Sequence, residues 1–140
     1  MLEPEITICV ADPNPRVREL LRREFSSLGC TVILARTSQE VVEACLSSSP
    51  PDLVVVDPEL SCADSDPILT RISMFMPKLP VVLHAFPGEA LNHPAAHKAA
   101  AILEKGESTN RLKDVVFRIL NERDVVTRTN KWKRKDITAE

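Results

Sequence analysis

The chain has 140 residues, a common size for one domain with one core. Hydrophobic residues make up 44% and charged residues 27%, an ordinary globular composition, and the formal net charge of −2 supplies no overall basic field for nucleic acid. No apolar run approaches the roughly 20 residues of a bilayer span, and the opening MLEPEITICV is acidic where a secretion signal is basic, so the chain reads as cytoplasmic with no membrane span.

The hydrophobic period switches repeatedly along the chain. ITICVA (6–11) is short and β-branched, a strand closed by Asp12-Pro13. Asn14 can cap a helix whose first position is Pro15. In that helix Val17, Leu20, Leu21, Phe25 and Leu28 form one apolar stripe, and Gly29 stands where a helix stops. TVILAR (31–36) is a second strand. Thr37 and Glu40 have the spacing of a capping box ahead of Val41, Val42, Ala44, Cys45 and Leu46. SSSPP (47–51) breaks that helix, and LVVV (53–56) is the third strand, ending on Asp57 and Pro58.

Asp66-Pro67 then opens a helix carrying Ile68, Leu69, Ile72 and Phe75. Pro77 and Pro80 bracket the turn into a fourth strand, VVLHAF. Residues 88–98 are the weakest helix of the set, because an interior Pro94 costs about 3 kcal/mol. AAILE (100–104) is a fifth strand ending on Lys105. Ser108 can cap a last helix in which Leu112, Val115, Val116, Ile119 and Leu120 share a face.

Strand and helix therefore alternate five times, the signature of a parallel sheet covered on both faces. In such sheets ligands bind beyond the carboxyl ends of the strands, where the strand order reverses. Asp12, Asp57 and Lys105 each follow a predicted strand, and His84 or Ala85 ends the fourth. Two carboxylates and an ammonium at one edge can bind a divalent cation and a phosphoryl group. The four cysteines (Cys9, Cys30, Cys45, Cys62) show no CxxC spacing and read as reduced core thiols, without zinc.

Three segments resemble bacterial two-component response-regulator receiver domains: ICVADPNPRVRELL, PDLVVVDPEL and AAAILEKGES. The resemblance implies a flavodoxin-like (βα)5 doubly wound sandwich with a five-stranded parallel sheet of order 2-1-3-4-5. It implies a receiver over residues 6–121, with 122–140 as a flexible basic tail. It also implies a signalling domain and not an enzyme, one that takes phosphate from a sensor histidine kinase or phosphotransfer protein and acts on a downstream effector protein. Residue by residue, Asp57 resembles the phosphoacceptor, Lys105 the lysine that pairs with the phosphoryl oxygens, and Asp12 the first member of an acidic pair that holds Mg²⁺. Asp57 and Glu59 complete the expected metal set, Glu59 only by swinging its carboxylate inward where the family offers a backbone carbonyl.

The departures are specific. Pro13 stands where the second acid of the pair belongs, so one ligand and one charge are missing. The hydroxyl expected at the end of the fourth strand is replaced by Ala85, or by His84 in a shifted alignment. Ile102 stands for the aromatic switch residue, and Gly106 for the proline after the lysine. Two readings follow: a phosphorylatable receiver, or a pseudo-receiver that keeps the fold as a phosphorylation-independent interaction module. In the tail, Lys131, Trp132, Lys133, Arg134 and Lys135 are too few to specify nucleic-acid or lipid contact, and they read as a solvated terminus. The remaining length is short for a helical DNA-reading module, so signalling is expected through protein docking, as in stand-alone receivers.

Overall fold

Short β-branched runs, each closed by a polar or turn-forming residue, become the strands of the computed structural model, which describes residues 5–60, 68–87, 98–106 and 108–127. Strands β1 (Thr7–Ala11), β2 (Thr31–Ala35), β3 (Leu53–Val56), β4 (Val81–Ala85) and β5 (Ala101–Glu104) form one sheet in the order β2-β1-β3-β4-β5. Every neighbouring pair is parallel. The order reverses between β1 and β3, which makes their carboxyl ends the crevice of the sheet.

Helices α1 (Pro15–Ser26), α2 (Ser38–Cys45), α3 (Ile68–Phe75) and α4 (Thr109–Thr127) cover the two faces. Strand alternation sorts the core accordingly. Cys9, Ala11, Val54, Val56, Leu83 and Ala85 meet Val41 and Cys45 of α2 and Ile68, Leu69 and Ile72 of α3. Ile8, Val10, Leu53, Val55, Val82 and Leu103 meet Leu21 and Phe25 of α1 and Leu112, Val116 and Leu120 of α4. All four residues of β3 are buried, as expected for a strand covered on both sides. The molecule is thus a flavodoxin-like doubly wound sandwich with the expected strand order.

Local signals account for the helix ends. The Asn14 side chain accepts the Arg16 N–H at 2.8 Å, and Pro15 occupies the first turn, where no N–H is needed. Thr37 Oγ1 accepts the Glu40 N–H at 3.2 Å, while the Glu40 carboxylate reaches past the cap to the Arg36 N–H at 2.6 Å. The box is therefore offset by one residue on its return bond. After α1 the chain turns through Gly29 at φ +91°, a region that L side chains rarely adopt.

The apolar stripes are wider in sequence than the buried arcs. Leu20 and Phe75 are exposed because a helix lying on a sheet buries only the residues at the centre of its stripe, and Leu28 and Leu46 are exposed because they lie just past the ends of α1 and α2. The last helix runs to Thr127, beyond the expected domain boundary at 121. The helix expected at 88–98 falls almost wholly outside the described residues, as do Asp66-Pro67, Cys62 and the basic cluster around Trp132. Cys9, Cys30 and Cys45 are buried and free, and burial pushes the Cys9 thiol up to about 12 and that of Cys30 to about 11. Such thiols stay protonated and unreactive. Among the described residues, no helix is long and apolar enough to cross a membrane.

Candidate functional site

Backbone register places the three candidate side chains. Each follows the last residue of its strand, and each N–H continues the ladder to the neighbouring strand. The Asp12 N–H donates to the Ala35 carbonyl at 3.1 Å, Asp57 to Ala11 at 2.9 Å, and Lys105 to Ala85 at 2.7 Å. These bonds hold the residues at one sheet edge although they are far apart in sequence. All three are buried: Asp12 is 2% exposed, Asp57 4% and Lys105 9%.

The side chains converge. Lys105 Nζ lies 2.8 Å from Asp12 Oδ2 and makes a second ion pair and hydrogen bond with Asp57 Oδ2. The other oxygen of each carboxylate is held by its own loop. Asp12 Oδ1 accepts the Asn14 N–H at 2.8 Å, and Asp57 Oδ1 accepts the Glu59 N–H at 2.6 Å. Both acids thus make the same local turn, aiming one oxygen into the cleft. Arg18 Nη1 donates to the Asp12 carbonyl oxygen at 2.7 Å, tying α1 to the end of β1.

The electrostatics follow from this arrangement. Two carboxylates at close range repel, and an ammonium between them removes that cost. Burial works to lower the Lys105 pKa, but its hydrogen bonds to Asp12 and Asp57 and their charges outweigh burial and hold it above the ordinary lysine value. The trio of two acids and one base keeps one net negative charge. A carboxylate oriented in this way can act as a nucleophile toward phosphorus, with an ammonium at hand for the phosphoryl oxygens.

Other expected positions divide. Glu59 is exposed, and what it brings to Asp57 is its backbone N–H. Among the described residues, no group of three His, Cys, Asp or Glu side chains is assembled to hold a metal. Ala85, not His84, is the strand-end residue: it pairs with Glu104, directly before Lys105, and is buried against Leu83 and Val56. His84 points by alternation to the opposite face, beside Leu103 in the ladder. Its Nδ1 is buried without a hydrogen-bond partner. Burial, then the charge of Lys105, push its pKa below the usual histidine value against the pull of Asp12 and Asp57, so the ring is neutral at pH 7. A neutral ring brings no imidazolium to a phosphate. Ile102 is 37% exposed on β5. Gly106 has φ +94°, where proline cannot go, so the turn after Lys105 differs in kind from one built on proline.

One residue with no place in the sequence-derived site joins it. The Phe86 ring covers Lys105 Nζ, with 5.0 Å between Nζ and the ring centroid. Its sequence signal was weak, an aromatic immediately past a strand that ends at the functional edge.

No model of a known protein family matches the chain, and no curated protein does. Solved structures do. The receiver domain of NtrX from Brucella abortus superposes with a TM-score of 0.73 at 27% identity, covering 81% of this chain and 98% of that one. The same organism's NtrX in complex with ATP gives 0.76 at 26% identity over 85% of this chain, which spans 28% of that longer one. A response-regulator receiver domain protein from Clostridium thermocellum gives 0.74 at 22% identity, over 87% and 99%. The chain shares the fold of response-regulator receiver domains.

Proposed function

We propose that this chain is a phosphorelay receiver in which Asp57 accepts a phosphoryl group from a phosphohistidine on a sensor histidine kinase or phosphotransfer protein. The observation that carries the reading is the convergence of Asp12, Asp57 and Lys105 in one buried cluster at the carboxyl edge of the sheet. In the reaction an Asp57 carboxylate oxygen attacks phosphorus, an O–P bond forms, and the N–P bond to the donor imidazole breaks. The leaving imidazole departs neutral, its second nitrogen having carried the proton. Lys105 contributes by following the negative charge from the carboxylate to the phosphoryl oxygens, and Asp12 by keeping that ammonium in place. Output would then pass to an effector protein through a change in docking affinity, which requires a second conformation that the phosphorylated state favours.

Mg²⁺ fits this site only in reduced form. Magnesium commonly uses one or two carboxylates together with phosphate oxygens and water, and Asp12 and Asp57 would be its ligands, with charge neutralisation of the phosphoryl group as its contribution. Pro13 adds nothing, and the exposed Glu59 presents only its N–H to Asp57. Lys105 already occupies one oxygen of each acid, so cation and ammonium compete.

A second reading has its own support. With Lys105 satisfying both acids, Ala85 at the place of the switching hydroxyl and Ile102 at that of the aromatic, the fold can persist as a phosphorylation-independent interaction module. The experiment that separates the two is incubation with acetyl phosphate, with and without Mg²⁺, followed by intact mass measurement. One added phosphoryl that vanishes in Asp57→Asn supports the receiver, and no adduct under conditions that label an ordinary receiver supports the interaction module.

A further inference from the structure

The Lys105 ammonium has three N–H donors, and the carboxylates of Asp12 and Asp57 take two of them. Its remaining side meets the face of Phe86, at a distance inside the range where a ring quadrupole attracts a cation. The contact is built into the sheet. Ala85 pairs with Glu104, and the Lys105 N–H still bonds the Ala85 carbonyl at 2.7 Å, so residues 86 and 105 are the next neighbours along the ladder. Phe86 is nonetheless 55% exposed, while the amine it covers is buried. It is therefore one side chain that touches both the ion cluster and the surface.

We infer that Phe86 is a positioning residue for Lys105: its ring is the third wall of the ammonium's cage, and it carries any displacement of that ammonium to the protein surface. The first half stands on the geometry alone; the second rests on the receiver reading. Phosphorylation turns the Asp57 carboxylate into a mixed anhydride, whose oxygens are weaker acceptors, and moves the negative charge onto the phosphoryl oxygens. The amine follows the charge, and the ring loses or changes its cation contact. Neither Ala85, which has no hydroxyl, nor Ile102, which has no polar tip, offers such a link, whereas Phe86 needs only van der Waals and cation–π contact to respond.

The test uses the full-length chain in two arms. In the unphosphorylated protein, hydrogen exchange of the Lys105 ammonium is followed by ¹H–¹⁵N NMR in the parent and in Phe86→Leu, Phe86→Tyr and Phe86→Trp. Leucine keeps bulk and loses the ring; tyrosine and tryptophan keep the ring. Exchange is expected to rise roughly fivefold in Phe86→Leu and to stay near the parent rate in the aromatic variants, the size of a modest cation–π contact. Phe86→Met serves as a second aliphatic probe should the leucine variant fold poorly. Equal exchange in the aliphatic and aromatic variants overturns the positioning role. In the second arm, Phe86→Trp is treated with acetyl phosphate, which releases acetate as the phosphoryl group transfers, and its emission is compared with that of the identically treated parent. An adduct by mass with a spectral change found only in the tryptophan variant supports the link to the surface, and an adduct without that change overturns it. Aromatic-dependent exchange in the first arm with no adduct in the second defeats the receiver reading, and with it the surface link, while the positioning role stands.

Discussion

Replacing Lys105 by methionine keeps most of the side chain's volume and removes the one charge shared by Asp12 and Asp57. Both acids are nearly inaccessible, with side-chain exposures of 2% and 4%, so neither can turn to water for compensation. Breaking a buried ion cluster by deleting one partner costs about 3–5 kcal/mol, and the lower figure suits a cluster at the rim of a sheet. With an unfolding slope of about 2 kcal/mol per molar urea, a loss of about 3 kcal/mol lowers the denaturation midpoint by about 1.5 M at pH 7.5. The deficit has a pH signature. In Lys105→Met the unshielded acids raise the pKa of one carboxyl in the folded state, so stability returns as the pH falls and that group takes up a proton. Adding Asp57→Asn to Lys105→Met removes the repulsion and recovers most of the loss at neutral pH. The measurement is urea unfolding of the parent, both single variants and the double variant at pH 5 and 7.5. If Lys105→Met costs the same at both values and Asp57→Asn recovers nothing, the ammonium is not coupled to these carboxylates.

Three other outcomes follow from the same structure. Pro13→Asp restores a second acid beside Asp12 and should tighten Mg²⁺ binding in a calorimetric titration; unchanged affinity would put the cation elsewhere. Gly106→Ala must accept φ +94° with a Cβ, which costs about 1–2 kcal/mol in thermal or urea unfolding even though nothing crowds the position. His84 has a folded pKa below its unfolded value near 6.5, so it contributes stability that is present above that value and is lost as the pH falls below it. Unfolding free energies of His84→Val measured between pH 7.5 and 5 should fall less steeply than the parent's, and parallel curves would show that the imidazole plays no part.

Strands were legible in the sequence because the apolar runs are short and rich in β-branched residues, and the edges of the first, third and fifth because Asp12, Asp57 and Lys105 close them. A parallel sheet then does the rest: with strand order β2-β1-β3-β4-β5, residues following β1, β3 and β5 meet at one edge whatever their separation along the chain. What stayed hidden depends on register and rotamer. That Lys105 binds both acids at once, that Glu59 gives its N–H, and that Phe86 rather than residue 102 lies against the amine cannot be read from spacing. The hydroxyl position was ambiguous between His84 and Ala85 until pairing with β5 fixed it. Leu20 looked like core because periodicity names a stripe while packing decides how much of it is covered, and Leu28 because periodicity does not show that the helix stops at Ser26. The last helix outruns its apolar pattern, running on to Thr127 past Leu120.

The most direct measurement is chemical location of the phosphoryl group. After acetyl phosphate treatment, borohydride reduces an aspartyl phosphate to homoserine, and peptide mapping by mass spectrometry reads the converted residue. Conversion at residue 57 alone, abolished in Lys105→Met, is the expected result. Phosphate retained through alkali, or conversion at any other carboxylate, would contradict it.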